Sequence, residues 1–502
     1  METQDDVDVL IVGAGISGIG TACQLREHCP DMSFQILERR QRIGGTWDLF
    51  RYPGIRSDSD MFTMGYEFRP WNELKVLADG TSIRNYVADT AREYDVADQI
   101  QFGLKVISSE FSSARGRWTV QALEESSGQR RRFEAKFLVM STGYYRYDAG
   151  YTPDFAGISD YKGTLVHPQH WPESLDYSGK KVVVIGSGAT AVTLVPSMTD
   201  KAAHVTMLQR SPTYYVNVPD EDQVARLLRR VVSDNWAGRV ARQKNILRQK
   251  LLWESSRRLP GVMRKLFMSG VKAYLGKNAD MSHFSPHYKP WDQRLCAVPE
   301  GDLFKAIARG DASVVTDHID RFTENGIRLQ SGRELQADIV VTATGLELET
   351  MGGASLKVDG QEKDIGKLMI HKGVMMQDIP NLAWIFGYVN SSWTLKANIA
   401  ARYITRLLKH MKRVDAQVVT AVDHHGCTVD EPFLSALEAN YVKRVQHRLP
   451  RQGSKDPWRN HNSYLRDRKV LLKDRIDDGV LEFSRLGESS SQLADGVAAQ
   501  AA

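Results

Sequence analysis

The sequence predicts an α/β protein made of two Rossmann-like dinucleotide-binding domains with a helical insert. Three stretches carry that prediction. The β-branched run 7–12 ends in Gly13-Ala-Gly15-Ile-Ser17-Gly18, and the run 181–185 ends in Gly186-Ser187-Gly188-Ala189-Thr190-Ala191. Residues 221–276 repeat apolar side chains at helical spacing among many Arg and Lys. At 502 residues the chain exceeds what one small core organises, so two or three domains are expected. Its 66 basic and 61 acidic residues leave a net charge of +5, too balanced for a nucleic-acid partner. Cys23, Cys29, Cys296 and Cys427 form no CxxC pair or metal cluster, as expected of reduced thiols in a cytoplasmic protein. The acidic start runs into the first glycine turn, which argues against a signal peptide, and no apolar stretch is long enough to cross a bilayer.

The first nucleotide fold is read in order. Residues 7–12 fit a buried parallel strand. Gly13, Gly15 and Gly18 permit a tight turn and close approach to a pyrophosphate, which the N–H groups of the following helix, read through Leu25, then face. A strand at 34–37 ends at Glu38, about 20 residues on, where an acid accepts the ribose hydroxyls. A lone GxGxxG is a weak signal, but strand, glycines, helix, strand and acid in order are a strong one. Residues 44–58 are a loop by composition, yet they carry Trp47, Tyr52, Arg51 and Arg56, which suits a functional loop better than a connection. Asp58 read by itself is a turn acid or an N-cap. Residues 83–94 have helical spacing, residues 100–107 read as one strand, and 118–122 with the polar turn 124–129 suggest a hairpin. Residues 137–143 look like a buried strand ending in a small-residue turn.

Residues 161–172 join the two folds. His167 and Trp171 lie four apart and would share a face on a helical turn; read plainly, this is a linker with a core tryptophan. In the second fold the strand 181–185 leads into GxGxxA, from Ile185 through Ala191, a permitted variant of the fingerprint. The next strand, 204–209, ends in Gln209 and Arg210 where an acid would select NAD, and this favours a 2′-phosphate, hence NADP. The basic residues of the insert, among them Arg226, Arg229, Arg239, Arg248 and Lys265, suit an exposed helical subdomain. The sharper reading is a cap over a substrate site that can also touch an anionic membrane. Arg294 ends the loop 287–295 and by itself is an ordinary loop cation. Residues 337–345 repeat the strand-plus-turn pattern, and 397–412 read as a long helix. The stretch 457–464 either closes over substrate or NADP or packs Trp458 in a core, and 489–502 should be disordered.

Several of these motifs resemble those of type I Baeyer–Villiger flavin monooxygenases. Tyr161-x-Gly163-x-x-x-His167-x-x-x-Trp171-Pro172 matches the family fingerprint, with Tyr161 where Phe is usual. Gly44-Gly45-x-Trp47, Tyr52-Pro53-Gly54 and Asp58 match a second motif in full. The resemblance spans almost the whole chain and points to the ethionamide-activating branch, with a related branch acting on long-chain ketones. It implies FAD and NADPH as cofactors, and oxygen insertion next to a ketone carbonyl, giving an ester or lactone, through a C4a-peroxyflavin. Sulfide or thioamide S-oxidation is an implied side activity. By the same resemblance Thr46, Trp47, Asp48, Leu49 and Val106 would line FAD, while Arg56, Ser57 and Asp58 would lie where flavin and nicotinamide meet. Arg294 would stabilise the peroxide and the tetrahedral intermediate, with Asp58 tuning it by a charge-assisted pair. His167 would couple domain rotation to cofactor position, and residues 379–388 would bring the chain under the flavin. The family often places Lys before that arginine; here Gln293 stands there.

The implied organisation is FAD-binding domain 1–148 and 348–488, NADP-binding domain 149–212 and 294–347, and helical insert 213–293. An N- or S-oxygenating flavin monooxygenase is the nearest enzyme alternative. A disulfide reductase is disfavoured because Cys23 and Cys29 lie on the first helix at the wrong spacing. A non-catalytic nucleotide-binding protein is the alternative from another class.

Overall fold

The computed structural model describes residues 3–435 and 439–487; the expectation for 489–502 lies outside them. Thr3–Val12 is an inner strand of an eleven-stranded sheet, parallel to Phe34–Leu37 on one side and Arg130–Met140 on the other. Val9 to Val12 are buried because both faces are covered, which explains the unbroken apolar run. Helix Ile16–His28 lies on one face and is backed by the long helix Trp393–Arg413, with Ile19, Cys23, Ile399 and Tyr403 in one core. Trp118, Phe133 and Trp384 fill the opposite face.

Two strands differ from the sequence expectation. Residues 100–107 are not one strand. Gly103, at φ +75°, turns the chain between Ile100–Gln101, which pairs with Phe34–Leu37, and Leu104–Ser112, which pairs with Arg117–Glu124. Conversely, the second arm of the hairpin and the strand before the small-residue turn are one element, Arg130–Met140. No Gly, Pro, Asn or Asp interrupts it. Its first half pairs with Arg117–Glu124, and its end, Leu138 to Met140, pairs with Leu382–Trp384. That exchange of partners brings the late part of the chain back into the first sheet.

The second domain holds five parallel strands in the order Ala312–Thr316, His204–Gln209, Lys181–Ile185, Ile339–Thr342, Thr164–Val166. The joining segment therefore supplies an edge strand. Lys181–Ile185 lies at the point where the connections reverse direction, the place where open α/β sheets bind ligands. A two-stranded ribbon, Tyr145–Gly150 with Leu346–Leu348, links the domains. The insert contributes helices Gln223–Leu228, Asp234–Arg258 and Pro260–Leu275. No helix among the described residues is long and apolar enough to cross a membrane.

Candidate active site

A cavity of about 1340 Å³, open mouth included, lies over the end of Thr3–Val12. Gly13, Gly15, Ser17, Glu38, Thr46, Trp47 and Val106 line it, and so does Arg294, far along the chain from the first turn. The glycines act differently. Gly13 sits at φ +104°, and a Cβ there would lie 2.7 Å from the carbonyl oxygen of Ser141. A Cβ on Gly18 would lie 1.8 Å from the carbonyl oxygen of Gly13, so Gly18 serves helix–strand packing and does not line the cavity. Gly15 is the N-cap of Ile16–His28 and offers no side-chain cap, which leaves first-turn N–H groups for an anion. Glu38 accepts from the N–H of Ala14 at 2.6 Å and of Arg40 at 2.8 Å, and burial pushes its carboxyl above the usual range.

The loop 44–58 divides its side chains between the two domains. Thr46–Leu49 is a single helical turn, so successive side chains point about 100° apart. Thr46 and Trp47 reach the cavity, whereas Asp48 and Leu49 do not, contrary to expectation. Asp48 is buried and accepts from Arg40 at 2.7 Å, with Arg51 beside it at 2.5 Å. Leu49 packs with Trp171 and Val195 in the core of the second domain. Arg56 donates to Asp302 at 2.7 Å, and its Nε and Nη2 are buried without a partner. The buried Ser57 hydroxyl donates to the carbonyl of Ser59 at 2.7 Å.

Arg294 has a buried Nε with no protein partner. Burial works against its charge, but Tyr144, Tyr441, Tyr145 and Asp58 outweigh it, and the guanidinium holds its proton more tightly than usual. The expected contact pair with Asp58 is absent: no ion pair within 4.0 Å joins them, and the attraction acts across a gap. Solvent reaches Asp58, yet enclosure by protein pushes its carboxyl up against the pull of Arg294 and Arg56.

The second turn is more open. Gly186, at φ +140°, leaves no room for a Cβ beside the carbonyl of Ala343, but nothing approaches Gly188. Ala189–Met198 starts without a side-chain cap, and Ala191 is buried against the sheet. Ser187 donates to the carbonyl of Ser211 at 3.0 Å. The Thr190 side chain lies beside the Tyr52 hydroxyl, where this turn meets the 44–58 loop. Arg210 is exposed, with no ion-pair partner among the described residues. Gln209 faces inward, its amide donating to the carbonyl of His283 at 2.7 Å and to Thr316 at 2.8 Å, so the side chain is withdrawn from the nucleotide side.

Between His167 and Trp171 the joining segment forms only a 3₁₀ turn, Pro168–His170, too short to align the two side chains. His167 Nδ1 accepts from the N–H of Gln169 at 3.1 Å, which leaves Nε2 to donate to the carbonyl of Gly345 at 3.2 Å. Burial lowers its pKa. The ring rests on Gly150, where a Cβ would lie 1.9 Å away. His167 thus clamps the ribbon between the domains, while Trp171 enters the second core. Trp458 is buried in the first core, edge-on to His371, which removes it as a cover for the cleft.

Sequence reasoning passed over the aromatic wall. Tyr144 and Tyr145 join hydroxyls at 2.8 Å, and Trp393 stacks on Tyr144 at 5.1 Å while donating to Ser17 at 2.8 Å. The pair Tyr144-Tyr145 directly follows the turn 141–143, a usable signal; Tyr441 has none. The hydroxyls of Ser141 and Thr142 are buried without partners. Glycine turn, uncapped helix, orphan hydroxyls, a flat aromatic wall and a charged arginine fit a bound dinucleotide with a planar ring system.

Two dinucleotide turns joined by one ribbon, the first opening on a cavity with a protonated arginine, define a two-nucleotide oxidoreductase. A family model described as flavin-binding monooxygenase-like matches residues 6–425, and the chain belongs to that family of flavin-dependent monooxygenases. It is 56% identical over 481 residues to the putative FAD-containing monooxygenase MymA of Mycobacterium tuberculosis (strain ATCC 25618 / H37Rv), covering 95% of this chain and 97% of that one. It is 50% identical over 483 residues to the FAD-containing monooxygenase EthA of the same strain, covering 96% and 98%. Among solved structures, an oxidized steroid monooxygenase bound to NADP shares the fold, with TM-score 0.74 at 20% identity over 96% of this chain and 100% of that one.

Proposed function

We propose that the chain is a FAD- and NADPH-dependent Baeyer–Villiger monooxygenase. It converts ketone, NADPH, a proton and dioxygen to ester or lactone, NADP⁺ and water. Bound FAD, reduced by NADPH, supplies the activated oxygen. The first-turn N–H groups beyond Gly13 and Gly15 hold the pyrophosphate, and Glu38 receives the ribose hydroxyls. Trp47, Tyr144 and Trp393 wall the ring system from water. Arg210 meets the 2′-phosphate of NADPH, with Gly186 and Gly188 below the pyrophosphate.

One observation carries the reading: a protonated Arg294 stands on the wall of the first-turn cavity with a buried Nε–H that nothing in the protein uses. Such a donor stabilises the negative charge that develops on a ketone oxygen under attack. Asp58 holds the field around Arg294 without touching it, which leaves the donors free for substrate. The same site oxidises sulfides or thioamides, since activated oxygen also transfers to soft nucleophiles. The cysteines, buried and unpaired, suit the reducing cytoplasm.

The test is turnover by the yellow, flavin-loaded protein. NADPH consumption with ester formation from a long-chain methyl ketone or phenylacetone supports the reading. Oxidation of a tertiary amine with no ketone turnover would replace it with an N- or S-oxygenating flavin monooxygenase.

A further inference from the structure

The insert carries its polarity inside out. Helix Asp234–Arg258 turns Arg242, Asn245 and Gln249 toward the first domain, where they bond to the carbonyls of Phe62, Thr63 and Gly65 and to the buried carboxylate of Asp60. Its outer face carries Trp236, Leu247 and Leu251, each more than half exposed. At about 100° per residue these three fall within about 60° of one another, opposite the docked face. Leu259, Val262 and Leu266 continue the exposed apolar surface past the corner into Pro260–Leu275. Ten of the fourteen exposed large apolar side chains among the described residues lie in the three insert helices and the short links between them.

Charge is concentrated in the same place. Residues 223–277 hold fourteen Lys and Arg against two Asp and Glu, whereas the rest of the chain holds fifty-two against fifty-nine. Arg230, Arg239, Arg248 and Lys265 are exposed and have no ion-pair partner among the described residues. A second copy of the chain would set this positive surface against itself, and a nucleic acid would have no use for the leucines. An anionic bilayer matches both features, since its headgroups meet the cations and its acyl boundary takes the apolar side chains.

We propose that this outer face of the insert docks on an anionic lipid surface, with Trp236, Leu247, Leu251, Leu259, Val262 and Leu266 entering the boundary between headgroups and acyl chains. The end of helix Asp234–Arg258 touches the loop that carries Arg294: Arg257 donates to Asp292 at 2.8 Å, and Trp253 packs edge-on to Trp291 at 5.2 Å. The proposal stands on surface chemistry and does not depend on the reaction proposed above.

The test is co-sedimentation of the flavin-loaded full chain with vesicles of phosphatidylcholine alone or mixed with phosphatidylglycerol. Binding to the anionic vesicles should be stronger by at least about tenfold and should weaken in high salt. The triple variant Trp236→Ser, Leu247→Ser, Leu251→Ser should lose vesicle binding while keeping its flavin and its rate of NADPH oxidation. Negligible binding to either vesicle overturns the proposal, and so does undiminished binding by the triple variant. A dimer in lipid-free sedimentation velocity that the triple variant abolishes would assign the face to a second copy and likewise overturn it.

Discussion

Replacing Arg242 with methionine should loosen the insert from the first domain. One nitrogen of Arg242, Nη1, donates to the carbonyls of Phe62 at 2.8 Å, Thr63 at 3.2 Å and Gly65 at 2.8 Å, and the residue is 5% exposed. These carbonyls end the short helix Met61–Met64, whose C-terminal end attracts a cation. Methionine keeps most of the aliphatic stem but supplies no donor. Hydrogen bonds from a charged group contribute about 1.5–3 kcal/mol each, but the wild type bears the cost of burying a guanidinium with no carboxylate in contact. The net loss is therefore about 3 kcal/mol, well below the sum of three bonds. It falls on the seam between insert and domain, so it should appear first as local opening. Tryptic cleavage within residues 234–258 should accelerate about a hundredfold where opening governs the rate. Cleavage and thermal midpoint both equal to wild type would refute the reasoning, because the guanidinium would then not be the hook.

Other perturbations separate further parts of the account. Gly18→Ala places a methyl 1.8 Å from the carbonyl of Gly13 and should destabilise the fold by about 3 kcal/mol, read by calorimetry. Gly15→Ala meets nothing closer than 3.5 Å, so it should fold normally and fail only to retain flavin, read by visible absorbance after gel filtration. Arg210→Ala should raise the KM for NADPH about ten- to a hundredfold and leave that for NADH unchanged. Burial pushes the thiols of Cys23 and Cys296 up to about 12, so at pH 8 only about one in ten thousand is thiolate. Labelling by Ellman's reagent should therefore await unfolding, and any native rate should climb about tenfold per pH unit; rapid labelling at pH 8 would contradict the burial.

What could be read from the sequence was whatever depends on local covalent pattern. A β-branched run that stops at GxGxxG can do little else than end a buried strand over a helix N-terminus, so both nucleotide turns were visible. The charge of residues 221–276 was visible for the same reason. What stayed hidden depends on partners far along the chain. Residues 100–107 have the composition of one strand, but Gly103 lets each half choose a different neighbour. Asp48 and Leu49 sit inside a flavin-loop motif, yet one helical turn directs them to Arg40 and to the second core. The helix Asp234–Arg258 shows apolar spacing, and the ordinary inference sets that stripe inward; only Asp60 and the carbonyls of 62–65 reveal that its polar face is the buried one. Tyr441 comes near Arg294 from a helix after 146 intervening residues, which no spacing argument detects.

The most direct test of the central claim is ester yield by Arg294→Ala under NADPH, dioxygen and a ketone that the wild type converts. The variant should keep its flavin and still oxidise NADPH, but release hydrogen peroxide in place of ester. Ester formed at the wild-type yield would contradict the role given to Arg294.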